Sequence, residues 1–176
     1  MAVRPVVLYP EQVLLRPTHP VASIDDHVRQ LVADMVETMY AAPGIGLAAN
    51  QLGESVRVFV MDPSGGEAPD GLRILVNPVV RSVEGSQTGE EGCLSFPDIT
   101  LEIDRPYRAR VEALDIDGRS VVLDAEGLVA RVMLHEIEHL DGETFLRNVS
   151  ALKREIVKRE IRKRIKAGNW TTLAVP

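Results

Sequence analysis

Two histidines and a glutamate late in the chain have the spacing of a metal site. The stretch LHEIEHLDG contains His135, Glu136 and His139. Histidines four residues apart share one face of a helix, so both imidazoles can bind one ion, and the glutamate can take a proton from water held there. A catalytic tetrahedral site usually has three protein ligands and one open position. The stretch therefore predicts a water-activating metal centre that still needs a third ligand.

The chain offers two candidates for that third ligand, Glu160 and Cys93, while a third position used by related HExxH proteins holds Phe145, which cannot bind a metal. Metzincins continue to a further histidine, and Phe145 stands at that position. Gluzincins use a later glutamate, and Glu160 has about that spacing, but its basic neighbours favour a solvated ion pair. Cys93, the single cysteine, offers a thiolate that soft metals prefer. An isolated cysteine is more often a small buried residue, but beside an incomplete site we interpret Cys93 as the ligand.

The periodicity of apolar residues predicts the elements that position these groups. Helical spacing indicates helices over about 24–40, with a capping box at Ser23 and Asp26, and over about 127–141, followed by a basic helix at about 151–167. Strand-like runs are VRVFVMD, ILVNPVV, RARVEALDI and SVVLDA, with a loop at PSGGEAPDG and a turn at DIDG. Because strands cluster without βαβ alternation, we expect an α+β fold. Its mostly antiparallel sheets pack around the central HExxH helix, and a C-terminal helix follows.

Length and composition predict one ordinary globular unit. The 176 residues, 45% hydrophobic and 26% charged, suit a single catalytic domain over residues 1–176. No run of about 18 apolar residues is present, so no membrane segment is expected. The first ten residues are too short and too proline-broken for a signal-peptide core, which predicts a cytoplasmic protein. The lone cysteine excludes an intramolecular disulfide.

Charge is distributed unevenly along the chain. Residues 151–167 carry eight Lys or Arg and two Glu, a net of +6, whereas the whole chain has a net charge of −6. Such a basic tail is typical of a segment that meets an anionic partner. A solvated helix with ion pairs between successive turns is an equally good interpretation.

Three ordered motifs resemble those of the peptide deformylase family. They are GIGLAANQ (44–51), EGCLS (91–95) and HEIEHLDG (135–142), and the similarity extends over nearly the whole chain. The family usually has Gln before the first histidine and Asp before the second, where this chain has Leu134 and Glu138. Neither is a ligand, so the departures put metal retention and catalytic efficiency in question rather than identity.

The resemblance implies a reaction and a role for each site residue. The reaction is removal of the N-formyl group from formyl-methionine at the start of nascent polypeptides, with release of formate. The resemblance implies Fe²⁺ as the ion, with Zn²⁺, Ni²⁺ or Co²⁺ as substitutes, and a C-terminal helix that docks on the ribosome. The implied metal ligands are Cys93, His135 and His139, and the implied catalytic groups are the Glu136 carboxylate, the Gln51 amide and the Leu94 backbone N–H. We expect the substrate to contact Gly44, Ile45, Gly46, Phe96, Leu128 and Val132. Glu91, beside the loop that contains Cys93, is expected to be an ion-pair or hydrogen-bond anchor.

Two other classes of function are consistent with parts of the sequence. An ordinary zinc endopeptidase would use the same HExxH helix but would cleave unblocked peptides internally. A nucleic-acid-binding protein with a structural metal would use the basic helix, although such a site needs a fourth protein ligand. The only other histidines, His19 and His27, have no evident partner.

Overall fold

Seven strands and three α-helices make up residues 2–172, which the computed structural model describes. In chain order they are α1 (Asp26–Ala41), β1 (Gly46–Ala48), β2 (Val58–Met61), β3 (Arg73–Glu84), β4 (Gln87–Gly92), β5 (Thr100–Arg105), β6 (Arg108–Leu114), β7 (Ser120–Glu126), α2 (Gly127–Leu140) and α3 (Ala151–Lys166). Five strands form an antiparallel sheet in the order β1-β2-β3-β6-β7, and β4 pairs with β5 in a separate hairpin. The predicted α+β fold with antiparallel sheets is confirmed.

Helix α1 covers the β1–β2 end of the large sheet. Its buried stripe is Val28, Leu31, Val32, Met35 and Met39, the period expected from the sequence. The capping box predicted at Ser23 and Asp26 is wrong. Asp25 is the N-cap instead, and its carboxylate accepts a hydrogen bond from the Val28 N–H at 2.9 Å. The helix therefore begins two residues later than the pattern predicts.

Helix α2 packs on the inner face of the large sheet and is buried along most of its length. An uninterrupted run from Ala130 to Ile137 is buried, with Val111 and Ala113 of β6 opposite it. The helix ends where the chain passes close to another segment. Gly142 has φ +75°, and a Cβ there would lie 2.6 Å from the Pro17 nitrogen. Glycine is required at this position both for the backbone conformation and for the close approach.

The loop between β2 and β3 is organised by one buried carboxylate, Asp62. It accepts hydrogen bonds from the Ser64 N–H and hydroxyl, from the Gly66 N–H at 2.9 Å, and from the Tyr40 hydroxyl at 2.6 Å. Burial opposes the charge, but the bonds from Ser64, Tyr40 and Gly66 outweigh it and lower the pKa of Asp62. The Asp62 N–H also donates to the Ile45 carbonyl, so the loop is tied to the chain just before β1.

The β4–β5 hairpin was not among the predicted strands. Strand β4 (QTGEEG) has almost no apolar residues, and only Leu101 and Ile103 alternate on β5. These two side chains pack in a cluster with Phe145 and with Val157 of α3. Helix α3 therefore covers the hairpin with its few apolar residues. Among residues 2–172, no helix combines the length and apolarity needed to cross a membrane.

Candidate metal centre

Two separate elements bring three potential metal ligands together. Cys93 follows the last residue of β4, while His135 and His139 lie one turn apart on α2. The sulfur and one ring nitrogen of each histidine all lie within 4.8 Å of one another, and Cys93 Sγ is 3.2 Å from His139 Nε2. Within residues 2–172, no other cluster of three His, Cys, Asp or Glu side chains has this geometry.

The donor set fits a divalent transition metal. Zinc lies about 2.3 Å from a thiolate and about 2.0–2.1 Å from an imidazole nitrogen, so tetrahedral ligand atoms are roughly 3.5 Å apart. The Cys93–His139 pair, at 3.2 Å, is near that separation, and all three ligand atoms lie within 4.8 Å of one another on buried or half-buried residues. His135 Nδ1 already bonds Glu91, which leaves its Nε2 for the ion. A soft thiolate with two imidazoles suits zinc and the neighbouring first-row metals.

A buried carboxylate, Glu91, holds the first histidine ligand. Its Oε2 accepts a hydrogen bond from His135 Nδ1 at 2.8 Å, and its Oε1 accepts hydrogen bonds from Arg105 Nε at 2.5 Å and Arg131 Nη1 at 2.8 Å. Burial opposes ionisation, but the bonds to His135 and Arg105 prevail and lower the pKa of Glu91 to about 2. The ionised carboxylate therefore orients the His135 ring, as carboxylates commonly do for metal-binding histidines.

The two departures from the family pattern have defined surroundings. Glu138 reaches Arg105 Nη1 at 2.9 Å and accepts two hydrogen bonds from Asn148 Nδ2. Arg105 thus joins Glu91 and Glu138 in one buried network. Leu134 packs in the apolar cluster between α2 and the large sheet. Both residues therefore have defined partners in the structure: Leu134 in the apolar cluster, and Glu138 in the network that reaches His135 through Arg105 and Glu91.

Glu136 is a buried carboxyl group beside the ligands. Burial raises its pKa to about 7, against the opposing charge of His135. Its Oε2 has no hydrogen-bond partner among residues 2–172. A Cβ at Gly46 would overlap Glu136 Oε1 and lie 3.0 Å from Val132 Cγ1. The Gly46 position therefore stays free of a side chain because the carboxylate occupies that space.

Gln51 and Leu94 present N–H groups next to the ligands. Gln51 Oε1 accepts a hydrogen bond from the Ala48 N–H at 2.9 Å, which fixes the amide. Its Nε2 donates to Ser95 Oγ at 3.1 Å and faces Cys93 Sγ at 3.6 Å. The Leu94 N–H follows the cysteine directly and makes no hydrogen bond to another described residue. Both groups can serve as donors to an oxygen held beside the sulfur.

One cavity of about 480 Å³ opens onto this centre. The residues expected to contact substrate all line it: Gly44, Ile45, Gly46, Glu91, Phe96, Leu128 and Val132, together with Gln51, Cys93, Leu94, His135 and Glu136. Phe96 and Val132 are buried deep in the wall, whereas Ile45 and Leu128 are 36% and 51% exposed and stand at the mouth. One part of the cavity wall is therefore apolar and buried, and the rim is open.

Sequence reasoning missed several residues that contact the site. Arg131 lines the cavity and Arg105 lies behind it, while Asn50 Nδ2 donates to the His139 carbonyl at 2.5 Å. Arg131 had a detectable signal, because it precedes His135 by four residues and so shares its helix face. Arg105 and Asn50 gave none, since their roles depend on contacts between distant segments.

The two other positions at which HExxH proteins carry a third ligand lie in different surroundings. Phe145 is buried, with its ring centroid 5.7 Å from that of His135. Glu160 accepts a hydrogen bond from Arg164 Nε at 3.1 Å on the exposed face of α3. The described part of the chain therefore brings Cys93, and neither alternative, to the two histidines.

Comparison with known proteins identifies the family. The family model described as polypeptide deformylase matches residues 3–155. The chain belongs to the polypeptide deformylase family. A peptide deformylase from Acidobacterium capsulatum is 48% identical over 170 residues, covering 97% of this chain and 100% of that protein. One from Alkalilimnicola ehrlichii is 45% identical over 168 residues, covering 96% of this chain and 94% of that protein.

Solved structures of polypeptide deformylase family members share the fold. The peptide deformylase of Legionella pneumophila superimposes with a TM-score of 0.86 at 37% identity, covering 94% of this chain and 98% of that one. The Thermus thermophilus protein gives 0.85 at 40% identity, covering 95% and 98%. The Ehrlichia chaffeensis protein in complex with actinonin gives 0.86 at 36% identity, covering 93% and 98%. The family resemblance drawn from the three motifs is thus confirmed.

Proposed function

We propose that the chain hydrolyses the N-formyl group of formyl-methionine at the start of nascent polypeptides and releases formate. The observation that carries the proposal is the meeting of Cys93, His135 and His139 at a cavity into which Glu136 and Gln51 also project. Membership of the polypeptide deformylase family supports the same reaction.

Glu136 moves the proton in the proposed reaction. As the water oxygen attacks the formyl carbon, one water proton passes to the Glu136 carboxylate. The same proton then goes to the amine nitrogen as the C–N bond breaks, so formate and a free methionine amine leave. A pKa of about 7 allows the group both to accept and to return a proton near neutral pH.

Two N–H groups stabilise the negative charge that develops on the formyl oxygen. Gln51 Nε2 lies 3.6 Å from the cysteine sulfur, and the Leu94 N–H belongs to the next residue, which lines the same cavity. Preorganised donors of this kind contribute about 10²–10³ in rate each. Their fixed position comes from the Ala48–Gln51 hydrogen bond and from the turn after β4.

The apolar part of the cavity takes the methionine side chain. Phe96 and Val132 form its buried wall, and Ile45 and Leu128 form its mouth. Gly44 and Gly46 let the peptide backbone pass close to the edge of β1. Glu91 acts through His135 and does not need to touch substrate.

The proposed ion is Fe²⁺, with Zn²⁺, Ni²⁺ or Co²⁺ as substitutes. Cys93, His135 and His139 would hold it, and their donor types suit each of these metals. When bound, such an ion polarises the formyl carbonyl and makes water more acidic. Metal analysis of protein purified without oxygen tests its identity.

An anaerobic assay for formate tests the reaction. Formyl-methionyl peptides should release formate, while acetyl-methionyl peptides should not, and unblocked peptides should stay uncleaved. Glu136→Ala should nearly abolish release at unchanged metal content, and Glu102→Ala, an exposed carboxylate on β5, should match the parent. Internal cleavage of unblocked peptides would show that the chain is an endopeptidase instead. Full activity of Glu136→Ala would show that Glu136 is not the base.

We also propose that the reaction takes place in the cytoplasm and that α3 docks on the ribosome. Arg159, Arg162 and Lys163 are exposed on α3, whereas Val157 and Ile161 bury the opposite side. Contacts of basic side chains with rRNA phosphates are salt-dependent. Replacing the three exposed residues with Glu should weaken ribosome binding without unfolding the protein, and the same change at Arg81, Arg108 and Arg110 on the sheet is the control. Equal, salt-insensitive binding by both triple variants would refute docking through α3.

A further inference from the structure

Arg131 is a buried cation that the proposed reaction does not use. Its side chain is 7% exposed and lies on α2 one turn before His135. The Nη1 group donates to Glu91 Oε1 at 2.8 Å and to the Ile103 carbonyl at 3.1 Å. An arginine buried to this extent is rare unless its donors are fully engaged.

The remaining bonds of Arg131 also go to the β4–β5 hairpin. Nη1 lies 3.4 Å from the Gly89 carbonyl, and Nη2 lies 3.4 Å from the Gln87 carbonyl. A Cβ at Gly89 would come within 3.2 Å of Nη2, so the guanidinium lies against the bare backbone of β4. Nη1 therefore reaches both strands of the hairpin and Nη2 adds a second contact to β4, whereas a lysine would have one nitrogen for all these acceptors.

The hairpin has few other links to the metal-binding helix. Strands β4 and β5 pair only with each other within the described chain, so no ladder of hydrogen bonds joins them to the large sheet. Side chains fix the hairpin instead: the Arg105–Glu138 pair, the Glu91–His135 bond, the hydrogen bond from Gln87 Nε2 to the Gly127 carbonyl, and an apolar cluster around Phe145. Cys93 follows β4 directly, so its sulfur moves with the hairpin.

We propose that Arg131 is a positioning residue that fixes the hairpin to α2 and so sets the distance between the Cys93 sulfur and the two imidazoles. The inference rests on the proposed metal site. Without the Arg131 bonds, the hairpin carbonyls lose a donor, and the sulfur is held near His139 less firmly, by contacts such as the Gln51–Ser95 hydrogen bond alone. Loss of a group that orients metal ligands typically costs about 10–100-fold in metal affinity.

Cobalt binding to the metal-free full chain tests the proposal, because sulfur-to-cobalt absorption reports whether the thiolate binds. Arg131→Met removes the donors but keeps an unbranched stem, and Arg131→Lys keeps the charge without the fork. Both should bind Co²⁺ about 10–100-fold more weakly than the parent. The control is Arg110→Met, which breaks an exposed pair with Asp124 and should bind normally.

A second measurement separates positioning from stability alone. In the metal-free variants, the Cys93 thiol should react several-fold faster with a thiol reagent, because the hairpin is less firmly held. Parental Co²⁺ affinity and parental thiol reactivity in Arg131→Lys would overturn the inference even if both variants melt earlier. Absence of sulfur-to-cobalt absorption in the parent would instead refute the proposed metal site itself. That result differs from failure of the Arg131 inference, in which the parent and the variants all show the absorption.

Discussion

Adding one methyl group at Gly46 should displace the proposed catalytic carboxylate. In Gly46→Ala the new Cβ overlaps Glu136 Oε1, lies 2.9 Å from its carboxyl carbon and also lies 3.0 Å from Val132 Cγ1. Real Cβ atoms do not approach other atoms this closely, so Glu136 must move. Misplacing a catalytic group by about 1 Å costs about 10²-fold in rate. We therefore expect kcat/KM for formate release to fall about 100-fold with metal content unchanged.

The same overlap should also appear in the free energy of unfolding. Overpacking of a buried site costs about 1–3 kcal/mol, and each kcal/mol lowers the Tm of a chain of this size by about 2–4 °C. In a Glu136→Ala background the overlapping atoms are gone, so Gly46→Ala should cost much less. A double-mutant cycle in denaturant measures this coupling directly.

A comparator of equal size sharpens the test. Gly92→Ala adds a methyl group to the wall of the same cavity, but its Cβ meets nothing within 4 Å. We expect it to retain parental stability and much more activity than Gly46→Ala. Two results would refute the reasoning that Gly46 leaves space for the Glu136 carboxylate. One is additive changes in the free energy of unfolding in the cycle, and the other is an equal loss of activity in Gly46→Ala and Gly92→Ala.

Three further predictions concern side-chain hydrogen bonds and aromatic stacking. Gln51→Ala should lower the rate of formate release about 10²–10³-fold, and a change of less than a few-fold would give the amide a structural role only. Tyr40→Phe should lower the free energy of unfolding by about 1–2 kcal/mol near neutral pH, because it removes the hydrogen bond to the Asp62 carboxylate. The folded-state pKa of Asp62 lies below its unfolded value, so this loss should shrink as the pH falls through the folded pKa. A loss that does not depend on pH would contradict the prediction. Trp170, the only tryptophan, donates to the Tyr9 carbonyl, and Tyr9 stacks on Phe96 of the cavity wall. A formyl-methionyl peptide, the proposed substrate, should therefore change the fluorescence when it binds Glu136→Ala, and an unchanged spectrum would show that the wall does not respond.

The sequence was most informative where function constrains residue type. The HExxH spacing predicts a helix with both histidines on one face, and α2 has that form because 3.6 residues per turn leaves little choice. The apolar period of α1 likewise predicted its buried side. Cys93 could be proposed as the third ligand because the alternatives in the sequence were few.

Other features depended on contacts that no local pattern encodes. Strand β4 is polar and glycine-rich, so nothing in its sequence indicates a strand, and it forms because Arg131 and β5 satisfy its backbone carbonyls. The pairing of Arg105 with Glu91 and Glu138 joins three segments that are far apart in sequence. The sequence suggested that Gly46 lacks a side chain so that the substrate can approach closely. The structure adds a second reason, because a side chain there would overlap Glu136.

The proposed ligands come from a hairpin and a helix that meet only after the chain has folded. An unfolded chain does not hold a thiolate and two imidazoles at bonding distance, so an ion that binds this centre favours the native state over the unfolded one. At a free ion concentration of 100 times Kd, that preference contributes about 2.7 kcal/mol. Scarcity of the ion would thus abolish activity and also shorten the lifetime of the protein in a cell. The rate at which the protein is degraded would then depend on metal supply.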